Sequence, residues 1–245
     1  MTSELEAAAR KAGKIAQDAR RVLSRELKPD GSIVTNGDRV VEEFLRVELP
    51  KIVDAPIWGE EFGYAEESPD GVWAVDPVDG TTNYAFGSPL WGVSIALVKG
   101  DEAVLGAVFL PDLDEMYLAS LGGGAFCNGN RLAPIPKGSV EKFETVSYND
   151  NVLQRCPGEK LPGKMRCSGA FVVDGAFVAQ QRYRGLIGVR EKLYDMAACV
   201  CICRELGADV RYLDGDVLSI GALRENKAIS KPWVIFPSES RFFLK

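Results

Sequence analysis

No histidine occurs anywhere in this sequence. That absence excludes a Ser-His-Asp triad, a Cys-His nucleophile pair, a phosphohistidine and any His-ligated zinc. Acid–base or metal chemistry must therefore run on carboxylates, hydroxyls, lysine, tyrosine or cysteine. Long apolar runs are also missing. None approaches the roughly 20 residues that a membrane-crossing helix requires. Positive charge is in the minority, with 29 Lys and Arg against 35 Asp and Glu, a net −6. That balance suits neither nucleic acid nor an anionic membrane as a partner. The six cysteines show no CxxC spacing. Cys199, Cys201 and Cys203 fall inside an apolar helical run, so buried structural thiols are expected there rather than metal ligands. The opening residues Met1, Thr2, Ser3 and Glu4 are polar. No secretory leader is expected, which implies reduced thiols and a cytoplasmic protein.

What is present suffices for a sizeable core. Of the 245 residues, 46% are hydrophobic and 26% charged, so no disulfide or metal staple is needed to fold. Residues 4 to 27 carry Leu5, Ala8, Ala12, Ile15, Ala19, Val22 and Leu23 at helical spacing, which predicts one amphipathic helix. Lys28-Pro29-Asp30-Gly31-Ser32 breaks it. A second helix is expected from Asp38 to Leu49, closed by Pro50. Two short apolar runs then end in acid: Pro56-Ile57-Trp58 before Gly59-Glu60-Glu61, and Val72 to Val75 before Asp76-Pro77-Val78-Asp79-Gly80-Thr81. Strands are expected over 93–98, 103–110, 115–119, 143–148, 210–213 and 228–229, and helices over 169–181 and 195–206. Pro134-Ile135-Pro136-Lys137-Gly138 marks a boundary between two halves, 1–137 and 138–245. Strands mixed with interleaved helices imply an α/β (α+β) layered architecture.

Asp76-Pro77-Val78-Asp79-Gly80-Thr81 is the sharpest local signal. Pro77 stiffens the backbone, Gly80 permits close approach of a ligand, and a helix opening at Thr81 would aim N–H groups at an anion. An ordinary Asp-Gly turn gives the same local pattern. Glu60 and Glu61 fit a solvated loop, and Asp38 and Asp195 fit helix N-caps, when each is taken alone. Together these acids all sit at element ends beside turn residues. Hard oxygen ligands with no histidine select Mg²⁺ or Mn²⁺. There is no Cys with Arg six residues later, no phosphate-binding GxxxxGK loop and no GxGxxG after a strand, so other phosphate-handling routes are closed.

The ordered set of motifs resembles the inositol monophosphatase-like superfamily of magnesium-dependent, often lithium-sensitive phosphatases. Trp73 to Tyr84 matches its W-x-x-D-P-I/V/L-D-G-T-x-N-F/Y, Gly59-Glu60-Glu61 its G-E-E, and Val34 to Asp38 its V-T-x-x-D, with Glu42 in place. Gly122 to Gly129 matches its G-x-G-A-F-x-N-G, and Tyr194-Asp195-Met196-Ala197-Ala198 stands where the family has W-D-x-A-A.

The resemblance implies a layered α-β-α-β-α sandwich, a homodimer, and a site between the halves. It implies two catalytic metals held by Glu60, Asp76, Asp79, Asp195 and the Val78 carbonyl, with Asp38 helping to hold a third. Gly80 and Thr81 would bind phosphate through backbone N–H groups, and the Thr81 hydroxyl, paired with Asp38, would orient the attacking water. Glu60, Thr81 and Asp38 are thus the catalytic candidates. The implied activity is hydrolysis of a small phosphorylated sugar or polyol, inositol-1-phosphate by default. Fructose-1,6-bisphosphate, histidinol phosphate and 3′-phosphoadenosine 5′-phosphate are rivals, and a non-catalytic binding homologue is the rival from another class. The family's sugar-binding Glu, seven residues before the W-D aspartate, falls on Gly188 by ungapped counting. Arg166, Ala170, Arg184 and Arg190 are the candidates for substrate selection. Arg182, Arg184 and Arg190 fit either solvated surface or a pocket for a second phosphate.

Overall fold

The computed structural model describes residues 1–29, 31–63, 66–156, 160–225 and 228–240. The first helix, α1 (Thr2–Arg20), buries Leu5, Ala8, Ala9, Ala12 and Ala16 along one stripe. It stops seven residues short of the predicted end. Asn36 is the cause: its Nδ2 donates to the Ala19 carbonyl at 3.2 Å, and its Oδ1 accepts from Ser24 N–H at 2.8 Å. The chain then leaves as a hairpin, exposed β1 (Arg25–Leu27) against β2 (Ile33–Thr35), which buries Val34 and Thr35. Asp30, in the predicted break, lies outside the described residues. Helix α2 (Asn36–Glu48) starts at once, capped by Thr35.

Among the described residues, seven strands form the larger sheet in the order β3 (Ile57–Gly59), β4 (Val72–Asp79), β5 (Gly92–Lys99), β6 (Glu102–Leu110), β7 (Glu115–Ser120), β8 (Gly124–Cys127) and β9 (Asn130–Arg131). Only β3 and β4 pair in parallel; β5 to β7 form the predicted meander, β8 and β9 extend it beyond what was expected, and every other pair is antiparallel. Side chains alternate between its faces. Trp73, Val75, Val93, Ile95 and Phe109 meet α1 and α2. Ala74, Ala96, Val108 and Leu110 face the opposite way, onto α5 (Phe171–Ala179) and α6 (Leu193–Glu205). The short helix α3 (Thr81–Ala85) follows β4. Gly106 lets α6 approach: a Cβ there would lie 2.8 Å from the Ala198 carbonyl oxygen.

The second sheet follows residue 137, with order β11 (Lys164–Arg166), β10 (Thr145–Ser147), β12 (Gly185–Gly188), β14 (Trp233–Pro237), β13 (Ala208–Tyr212). Leu186, Trp233 and Ile235 turn one face of it to α5 and α6. Val146, Ile187, Val234 and Phe236 turn the other to Val152 of α4 (Asp150–Arg155). The layers run α, β, α, β, α, as expected. This sheet departs from expectation in several places: β10 is limited to 145–147, β11, β12 and the buried Trp233–Pro237 strand were not expected, and Ala228-Ile229 is not a strand. The latter segment still exchanges two backbone hydrogen bonds with residues 190 and 191. Cys199, Cys201 and Cys203 lie in the core between the sheets, and none of the six cysteines forms a disulfide. Burial pushes Cys201 and Cys203 up to about 12, which suits inert packing residues.

Candidate active site

The predicted acids gather where β4 ends. β4 does not turn at Asp76 but continues to Asp79, its pairing with β5 irregular between those two residues. Pro77 has no N–H to give a ladder, so it sits in the irregularity. There the strand has lost β3, whose last partner is Val75. Asp76 is 3% exposed, and its Oδ1 accepts from Val78 N–H at 3.0 Å. Gly80 adopts φ +83°, the left-handed region that favours glycine, and α3 begins at the next residue. No side chain fits at Gly80 in any case, since a Cβ would sit 2.7 Å from that of Ala170.

Asp38 arrives from α2. It is not the N-cap but the third helical residue, wholly buried, and its Oδ2 accepts from Thr35 N–H at 2.9 Å and from the Thr35 hydroxyl. Its other oxygen lies 3.1 Å from Thr81 Oγ1, which is also 3.0 Å from the Val78 carbonyl. Two acceptors therefore compete for one hydroxyl proton, fixing how Thr81 is turned.

Glu60 and Glu61 arrive from the loop after β3. Buried Glu42 shapes that loop. It accepts from Glu61 N–H at 2.8 Å and Phe62 N–H at 3.2 Å, and pairs with Arg46. Its carboxylate also explains Gly59, where a Cβ would lie 2.0 Å from Glu42 Oε1. The β1–β2 hairpin delivers Lys28, whose Nζ lies 2.8 Å from Glu60 and 2.6 Å from Glu61. Burial alone would lower Lys28, but Glu60 and Glu61 outweigh it and hold it above the ordinary lysine range. Asp195, the third residue of α6, accepts from Lys192 N–H at 2.7 Å, and so caps its own helix.

The electrostatics bind these positions into one cluster. Burial, then the charges of Glu60, Asp79 and Asp195, push Asp76 well above the carboxylate range. Burial carries Asp79 up to about 7 although Val172 N–H donates to it. Asp195 is raised well up by burial, with Glu60 and Asp79 adding to the rise. Like charges buried together hold their protons unless cations join them. The donor set is all oxygen, so the residues fit Mg²⁺ or Mn²⁺. Among the described residues, no three such side chains close tightly enough to enclose an ion as they stand. Each already has another partner: Glu60 pairs with Lys28, Asp79 accepts from Val172 N–H and Asp195 from Lys192 N–H.

The substrate-selecting candidates scatter. Ala170 caps α5 and abuts Gly80. Arg166 is exposed on β11 and donates to the Met165 carbonyl. Arg184 donates to the Pro136 carbonyl at 2.8 Å and lines a different cavity with Arg182, itself paired with Glu115. Arg190 is exposed with φ +80°. Two acids that the motifs did not flag stand closer: Asp174 of α5 and Glu191, which line one cavity with Gly169, Ala170 and Phe171. Gly188 explains Glu191. A Cβ at 188 would be 2.7 Å from Glu191 Oε2, so the bare glycine makes room for a carboxylate three residues on. An acid four residues before Asp195 was the available signal.

Comparison with known proteins agrees with this geometry. The model of the inositol monophosphatase family matches residues 1–239. A histidinol-phosphatase of Chlorobaculum parvum is 42% identical over 252 aligned positions, covering 94% of this chain and 95% of that one. An inositol-1-monophosphatase of Mesorhizobium japonicum is 35% identical, covering 88% and 87%. The crystal structure of the extragenic suppressor protein suhB from Bartonella henselae superposes with a TM-score of 0.78 at 27% identity, covering 96% and 93%. Among the described residues no helix is long and apolar enough to cross a membrane. With its motifs, its layers and nearly its whole length in common, the chain belongs to the inositol monophosphatase family of phosphoric monoester hydrolases.

Proposed function

We propose that this protein is a Mg²⁺-dependent phosphomonoesterase acting on a small phosphorylated alcohol. One observation carries the reading: buried Asp76 and partly buried Asp79 and Asp195 are all raised, each with a contribution from the charge of Glu60, and Lys28 is the one cation paired with that set among the described residues. Glu60, Asp76, Asp79, Asp195 and the Val78 carbonyl would hold two divalent cations, and Asp38 would contribute to a third; ions there would supply charge neutralisation for the phosphate and a more acidic water. Gly80 and Thr81 present backbone N–H groups to the phosphate oxygens. Thr81 Oγ1, held between Asp38 and the Val78 carbonyl, orients the attacking water. The halves 1–137 and 138–245 meet across the site, since Asn83 Nδ2 donates to the Ser168 carbonyl at 2.8 Å. Six cysteines without a disulfide suit a reducing cytoplasm.

Inositol-1-phosphate is the first substrate to test. The match to a histidinol-phosphatase supports a second reading, in which the alcohol carries nitrogen. A second-phosphate pocket built on Arg184 loses support, because that guanidinium is engaged with main-chain carbonyls away from Gly80. The deciding experiment is phosphate release with excess Mg²⁺ by the wild type and Asp79→Asn. Loss of about 4 kcal/mol of transition-state stabilisation slows turnover roughly a thousandfold. Near-normal turnover in the variant defeats the reading, as does metal binding without phosphate release from any ester tried.

A further inference from the structure

Two walls close on Gly80, at the centre of the candidate phosphate turn. A Cβ at residue 80 would lie 2.7 Å from that of Ala170 and 3.2 Å from the Leu90 carbonyl oxygen. The first wall comes from the second half of the chain, the other from the lead into β5. Gly80 holds its left-handed conformation between them. Movement of either wall would therefore free the turn that presents the Gly80 and Thr81 N–H groups.

One side chain is tied to both walls. Asn83 Nδ2 donates to the Leu90 carbonyl at 2.6 Å and to the Ser168 carbonyl at 2.8 Å. A carboxamide nitrogen carries two hydrogens, so both are used, one on each wall. Ser168 in turn grips Ala170: its Oγ donates to the Ala170 carbonyl at 2.8 Å and accepts from Ala170 N–H at 3.2 Å. Two residues further on, Val172 N–H reaches Asp79. Gly169 fits this contact. Its φ is +82°, and a Cβ there would crowd Asn83 Nδ2 at 3.1 Å. Asn83 is itself the third residue of α3, so the amide belongs to the turn that it braces.

A bridge that only held the halves together would not need this placement. Gln181 Nε2 donates to the Ala133 and Pro134 carbonyls, and Arg182 pairs with Glu115, both far along the chain from Gly80. Asn83 differs in that its two acceptors flank the one residue expected to admit phosphate closely. Resting on the phosphatase reading above, we propose that Asn83 is a positioning residue for hydrolysis. Its amide sets both walls of the Gly80 turn and so couples the second half of the chain to phosphate recognition by the first. Without the two donors, both carbonyls lose their partner and the walls part. A displacement of about 1 Å at such a turn can cost roughly a hundredfold in rate.

The test compares the wild type with Asn83→Asp, which keeps the shape but replaces both donors by acceptors, and with Asn83→Ala. It measures kcat and KM for the fastest-hydrolysed ester with excess Mg²⁺, and Kd for inorganic phosphate by calorimetry in the same buffer. In Asn83→Asp, kcat/KM is expected to fall by about thirtyfold or more and phosphate Kd to rise by about fivefold or more. Asn83→Ala, which adds no repulsion, falls between that variant and the wild type. A merely structural bridge would lower the fraction of active molecules, reducing Tm and apparent kcat while leaving KM and phosphate Kd unchanged; that result overturns the proposal. So does an Asn83→Asp variant that matches the wild type. If Asn83→Asp does not fold, Asn83→Ala and Gly169→Ala, which crowds the amide from the other side, decide by the same phosphate Kd. No release from any ester by the wild type overturns the phosphatase reading, and the phosphate Kd values then still decide for or against Asn83. A wild type that neither hydrolyses an ester nor binds phosphate overturns both.

Discussion

Replacing Lys28 with Gln tests whether the acids form one electrostatic unit. The lysine joins the cluster from the β1–β2 hairpin, with Glu60 at 2.8 Å and Glu61 at 2.6 Å. Its side chain is 21% exposed, and those of its partners 23% and 8%. At an effective dielectric near 20, each contact is worth about 6 kcal/mol gross. Dehydration, side-chain ordering and salt return most of that. Removing one partner of a half-buried pair costs less than the 3–5 kcal/mol of a fully buried one, so about 2 kcal/mol is expected. For a chain of this length that lowers Tm by roughly 6 °C in the presence of a chelator. Mg²⁺ works in the opposite sense. In the wild type it must displace the Lys28 ammonium from Glu60, whereas in Lys28→Gln it need not. The gain in Tm on adding Mg²⁺ is therefore larger in the variant, as a ligand stabilises the state it binds by mass action. Differential scanning fluorimetry with chelator and across a Mg²⁺ series reads both effects. Equal melting in chelator together with equal Mg²⁺ shifts would refute the claim that Lys28 shares its site with the metal.

Two further outcomes follow from packing and titration. Gly106→Ala pushes a methyl against the Ala198 carbonyl and Cys201; a loss of about 2 kcal/mol is expected, read by urea unfolding, and an unchanged midpoint would mean that α6 is not held that close to the sheet. Burial raises Asp174 from 3.8 to about 6, partly offset by the Ser147 and Ser168 hydroxyls. The folded state then binds a proton more readily than the unfolded chain, so stability falls as pH rises from about 4 to about 6, by about 3 kcal/mol. Asp174→Asn should flatten that part of the urea-stability profile, and an unaltered slope would count against the burial.

Legibility followed the range of the interactions. Asp76, Asp79, Gly80 and Thr81 could be found because one short stretch carries carboxylates, a stiff proline and a permissive glycine, and each has a local reason to be there. The meander was legible for the same cause, since alternation and turn residues are properties of neighbours in sequence. Asn36 was not. Its amide ends α1 from sixteen residues beyond, against a periodic pattern that Val22 and Leu23 continue. The Trp233–Pro237 strand reads as an unbroken apolar run, since both of its faces are covered, and such a run has no period to detect. Lys28 and Glu191 act through contacts that only the folded chain creates.

The acids also show why a chain can carry a local violation of its own stability rules. Burying carboxylates without matched cations raises their pKa and costs folding free energy, and nothing in the packing of β4 or α6 requires it. Val or Leu at Asp76 would suit a strand with 3% exposure better. The surrounding scaffold is otherwise consistent: the cap at Thr35, the carboxylate at Glu42 and the bare glycines at 59 and 188 each help to place one acid. Such agreement around a single group of disfavoured charges is expected where the charges serve chemistry.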